Sequence, residues 1–74
     1  MGEVDNIDLN RIAIVLTEKK MTTKEFAKQL GKEYSGVTKN CRNETQPSLK
    51  DLKRMADILK VPLRELIVDY IPSP

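Results

Sequence analysis

The stretch that most constrains the fold is Thr22–Arg42, TTKEFAKQLGKEYSGVTKNCR, which reads as two short helices meeting across a tight turn. Thr22 is a favoured N-cap, and Glu25 three residues on can reach back to the Thr22 N–H in a capping box. Phe26, Ala27 and Leu30 then share one apolar face at helical spacing. Gly31 stops the helix, because glycine enters the left-handed region without steric cost. A second helix from about Tyr34 to Arg42 carries Val37 as its clearest inward residue. Ala27 lets the helices approach, Gly31 lets the chain turn, and Val37 fills the space between them.

The flanking segments supply the remaining helices. Asp8 or Asn10 can cap a first helix running to about Lys20, with Leu9, Ile12, Leu16 and Ala13 facing inward and Val15 partly covered. Lys19 and Lys20 suit its C-terminal end, and Met21 leads into the second helix. Glu33 is a poor cap for the third helix, and Gly36 inside it costs about 1 kcal/mol relative to alanine. Asn43–Ser48 is a loop in which Pro47 disfavours helix at Gln46, and Ser48 caps a fourth helix with Asp51 in its first turn. Leu49, Leu52, Met55, Ala56 and Leu59 form that helix's apolar stripe. Pro62 suits the first position of a fifth helix, with Leu63, Leu66 and Ile67 inward. Residues 1–6 and 72–74 are expected to fray, leaving a core over 8–68 of a single domain spanning 1–74.

Charge placement carries more than the net value of +2. Residues 1–18 set Arg11 against Glu3, Asp5, Asp8 and Glu18. Residues 19–42 set Lys19, Lys20, Lys24, Lys28, Lys32, Lys39 and Arg42 against only Glu25 and Glu33. The basic excess therefore coincides with the paired helices, as a phosphate-facing surface requires. With 74 residues, no histidine and one cysteine, no nucleophile–base constellation, disulfide or transition-metal site is expected. Cys41 reads as a small packing residue. No apolar run approaches the length of a membrane span, the acidic start MGEVDNIDLN lacks a signal-peptide pattern, and a cytoplasmic, nucleoid-associated protein is expected.

From Asn10 to Ile67 the chain resembles the phage-repressor and Cro-like helix-turn-helix family, often called the Xre family. The resemblance is carried by Asn10-Arg11-Ile12, Leu16, Met21-Thr22, Glu25-Phe26-Ala27, Leu30-Gly31, Val37, Pro47-Ser48-Leu49, Leu52, Ala56, Leu59, Val61 and Leu63–Leu66. It implies an all-α, compact five-helix bundle of the lambda-repressor-like type, with the helix-turn-helix formed by the second and third helices. It further implies a non-enzymatic transcriptional regulator, acting as a repressor on double-stranded DNA with its third helix in the major groove.

By position, the resemblance makes Tyr34, Ser35, Gly36 and Lys39 base-facing and Thr22, Thr23, Lys32, Arg42 and Asn43 phosphate-facing. Lys39 can donate to guanine, Ser35 can donate or accept, and Tyr34 can stack on a thymine methyl. Thr23 stands where the family usually has a longer glutamine, and Asn40 where it normally has an apolar or aromatic residue. Val68, Tyr70 and Ile71 are candidates for a homodimer face, since small modules commonly read two half-sites about 34 Å apart. No cofactor or small-molecule ligand is expected. The alternative reading is a protein-interaction module, such as an antitoxin-like partner built on the same bundle.

Overall fold

The structure is a computed structural model that describes residues 8–68. It comprises α1 (Ile12–Glu18), α2 (Thr23–Leu30), α3 (Tyr34–Cys41), α4 (Leu49–Leu59) and a single 3-10 turn, Leu63–Leu66. The described residues are thus helical, with one isolated antiparallel bridge between Asn10 and Ile67. The expected frayed ends, 1–6 and 72–74, lie outside the described residues.

The expected fifth helix is a 3-10 turn, so the bundle has four α-helices. Pro62 is extended (φ −64°, ψ 149°) and precedes the turn rather than opening a helix. Ile67 is extended again (φ −117°, ψ 136°), because the chain there leaves the helix to pair with the segment before α1. The Arg11 N–H donates to the Leu66 carbonyl at 2.9 Å, and the Val68 N–H donates to the Leu9 carbonyl at 3.0 Å. Ile67, expected inward, is consequently 39% exposed.

The same pairing shortens α1. Residues 9–11 are not in helical phase, so Leu9, expected in the core, is 53% exposed while Asn10 is buried. The Asn10 side chain nevertheless serves the helix start, accepting from the Ile12 N–H at 3.0 Å. The buried stripe is Ile12, Val15 and Leu16; Val15 is fully rather than partly covered, and Ala13 faces solvent. At the other end the helix stops at Glu18, and Lys20 takes a left-handed conformation (φ 57°).

α2 forms as its sequence dictates. Thr22 Oγ1 accepts from the Glu25 N–H at 3.1 Å, and Gly31 turns the chain at φ 72°. The reciprocal half of the capping box is not made, because the Glu25 carboxylate accepts from the Gln29 amide at 3.1 Å instead. Ser48 caps α4 in the same manner through the Asp51 N–H at 3.1 Å. Met55, Ala56 and Leu59 of α4 are buried and Leu52 partly so, whereas Leu49, expected in that stripe, is exposed at the helix's first position. One apolar core joins these elements through Ile12, Phe26, Leu30, Val37, Met55 and Leu66. Arg54 ties α4 to the end of α2 by donating to the Leu30 carbonyl at 2.9 Å.

Candidate nucleic-acid interface

α3 is held by one fully buried side chain, Val37, with Cys41 half-buried beside the core. At 3.6 residues per turn, Ser35 and Lys39 then fall on the face opposite Val37, and Arg42 continues that stripe just past the last turn. All three are exposed, as are Tyr34 and Gly36. The four residues expected to face bases are therefore all exposed on one helix, Ser35 and Lys39 on the face opposite Val37 and Tyr34 and Gly36 on its two flanks. Gly36 borders a groove of about 520 Å³ between α3 and the Thr45–Ser48 loop, and a Cβ at this position would meet nothing within 4 Å.

The residues expected to face phosphate divide into two kinds. Thr22 is exposed at the start of α2, its hydroxyl oxygen engaged in the cap. Lys32 pairs with Asp51 at 3.1 Å, and Arg42 pairs with Glu44 at 3.4 Å. Both pairs are partly exposed and individually weak, so either cation can exchange its carboxylate for another anion at small cost. Thr23 and Asn43 are instead engaged within the fold. Thr23 is half-buried, with its side chain near the Cys41 thiol. Burial pushes the Cys41 thiol above its ordinary value of 9.0, and the Thr23 side chain offsets part of that rise. Asn43, left-handed at φ 63°, directs its carboxamide back at the segment preceding α1.

Lys24, Lys28 and Lys39 are exposed and have no ion-pair partner among the described residues. The positive charge of α2 and α3 is therefore left facing solvent, where it attracts a polyanion over several ångströms. The described residues contain no group of His, Cys, Asp and Glu suited to a metal ion.

What the residue pattern did not reveal is a cluster of side-chain amides beneath this surface. Asn10 donates to the Asn40 carbonyl at 2.9 Å and to Gln46 Oε1 at 2.8 Å. Asn40 donates to the Thr45 carbonyl and hydroxyl at 3.1 and 3.0 Å. A polar residue, Asn40, thus organises the loop after α3. One available signal was Asn43 itself, since asparagine just past a helix end commonly supplies the left-handed residue that glycine otherwise provides.

An eight-residue α2, a glycine turn and an outward α3 define a helix-turn-helix protein. The helix-turn-helix family model matches residues 12–66, and the chain belongs to that family, in its phage-repressor, Cro-like branch. Among solved structures it is similar to a candidate DNA-binding protein from Bacteroides fragilis, at 43% identity and a TM-score of 0.80, over 81% of this chain and 97% of that one. No curated protein matches the chain.

Proposed function

We propose that the chain binds double-stranded DNA as a transcriptional regulator, with α3 lying in the major groove. The observation that carries this reading is the exposed stripe of Ser35, Lys39 and Arg42 on the face of α3 opposite buried Val37. Lys39 suits guanine O6 or N7, and Ser35, one turn earlier, can donate or accept at the neighbouring base pair. Gly36 beside them lets the helix backbone come close to the groove floor. Lys32 and Arg42, with the free N–H groups at the start of α2, are suited to phosphate. The likeness to the Bacteroides fragilis protein, itself described as a candidate DNA-binding protein, supports the same reading.

The simplest mode of action for such a regulator is repression by occupancy of a promoter, set by protein concentration. Pairing of two copies through Val68, Tyr70 and Ile71 would give a two-fold symmetric site. Val68 is half-buried beside the Asn10–Ile67 bridge, while Tyr70 and Ile71 lie outside the described residues. No helix among the described residues is long and apolar enough to cross a membrane.

Selection of bound sequences from a random duplex pool, followed by gel-shift titration at two salt concentrations, tests this reading. Enrichment of a symmetric consensus, with binding that weakens steeply as salt rises, is the expected result. Failure to retard any duplex at low salt would instead favour the protein-interaction module.

A further inference from the structure

The amides beneath α3 form a closed clasp between segments far apart in sequence. Asn43 Oδ1 accepts from the backbone N–H groups of Leu9 and Asn10 at 2.8 and 2.9 Å, and its Nδ2 donates to the Asn10 carbonyl at 3.2 Å. The carboxamide thereby pairs with the Asn10 backbone as a neighbouring strand would. Asn10 answers with its own side chain, donating to the Asn40 carbonyl and to Gln46 Oε1. Gln46 closes the ring by donating to Asn43 Oδ1 at 3.1 Å. The other side of residues 9–11 is held by the backbone of Leu66 and Val68.

The clasp meets α3 at its C-terminal end. Asn40 follows Lys39 directly and Asn43 follows Arg42. Apolar packing holds this helix through fully buried Val37 and half-buried Cys41, both of which lie on its inner side and constrain its roll less tightly than directional bonds would. Hydrogen bonds are directional, and this mostly part-buried set ties the C-terminal end of α3 to a defined position against residues 9 and 10. Base reading requires the Lys39 ammonium in a defined register, whereas a phosphate contact tolerates displacement.

We propose that Asn43, Gln46 and Asn10 are positioning residues that set the pose of α3 against DNA from the segment preceding α1, and so govern discrimination between sequences rather than affinity for duplex in general. The proposal rests on the DNA-binding reading given above.

Asn43→Gly is the informative variant. Glycine accepts φ 63° without strain, so the backbone is kept while all four side-chain hydrogen bonds are lost. The probes are a duplex enriched from a random pool by the parent chain and a scrambled duplex of equal length. Both are titrated at a temperature where circular dichroism reports parent and variant fully folded. The ratio of the two affinities is expected to fall about 3- to 30-fold through weaker binding of the enriched duplex. The salt dependence should be unchanged, because no cation is removed. Amide exchange at Leu9 and Asn10 should accelerate. Gln46→Ala, at an exposed position, should shift the ratio in the same direction by less and guards against a variant that fails to fold.

An unchanged ratio in both variants overturns the proposal, as does an equal loss on both duplexes, which is the signature of a phosphate contact. A parent that enriches no duplex overturns the DNA-binding reading and the proposal with it. The exchange rates distinguish that result from a clasp that simply does not hold, since they require no DNA.

Discussion

Gly36→Ala separates the stability of α3 from its use. Glycine inside a helix costs roughly 0.5–1 kcal/mol relative to alanine, through the backbone freedom it loses on folding. Gly36 lies within α3, does not have a positive φ, and an added Cβ would meet nothing within 4 Å. No steric term therefore offsets the gain, and the variant should be more stable by about that amount. For a domain of this length the melting temperature should rise by roughly 2–8 °C. Binding should move the other way. If the bare backbone is what approaches the groove floor, an added methyl intrudes on a close contact, and overpacking of that kind costs about 1–3 kcal/mol, roughly 5- to 150-fold in affinity. Urea denaturation gives the first quantity and fluorescence anisotropy on an enriched duplex gives the second. A variant that is stabilised yet binds as the parent does refutes close approach at Gly36. A destabilised variant refutes the account of α3 as an unstrained helix at that position.

Further outcomes follow from the same geometry. Lys39→Ala should cost about 1–3 kcal/mol on the enriched duplex and relax discrimination at one base pair, whereas Arg42→Ala should weaken binding to every duplex and reduce the salt slope by about one, both read by titration at several salt concentrations. Lys60→Gly should stabilise the fold by roughly 0.5–1 kcal/mol in urea denaturation, because Lys60 ends α4 in the left-handed region at φ 59°. The Cys41 thiol is raised in the folded state by burial, so the folded chain holds its proton more tightly than the unfolded one. Its contribution is complete below the ordinary thiol value of 9.0 and is lost as pH rises through the higher folded value. Cys41→Ala should therefore show a shallower loss of stability than the parent on the alkaline side, measured by denaturation across that range.

The helix pair was legible because its signals are local and chemically specific. Thr22, Phe26, Ala27, Gly31 and Val37 each have one plausible job at their spacing, and each does it. The ends of the described chain were less legible. Leu9 and Ile67 look like helix-core residues by periodicity, but residues 9–11 and 66–68 pair with each other, a non-local choice that a 3.6-residue period cannot register. The same pairing reduced the expected fifth helix to a 3-10 turn. At the candidate site, exposure on α3 followed from the position of Val37, so the outward face was readable. The engagement of Asn43 and Thr23 was not, because a polar side chain beside a basic surface looks equally fit for phosphate or for the fold. The hydrogen bonds of Asn43 to Leu9 and Asn10, and the half-burial of Thr23, are visible only in the structure.

The most direct measurement is an amide chemical-shift titration of the 15N-labelled chain with an enriched duplex. The largest changes are expected at Ser35, Gly36 and Lys39, with secondary changes at Thr22, Thr23 and Arg42. Shifts confined to α4 or to residues 9–11 and 66–68, with α3 silent, would contradict a major-groove role for α3.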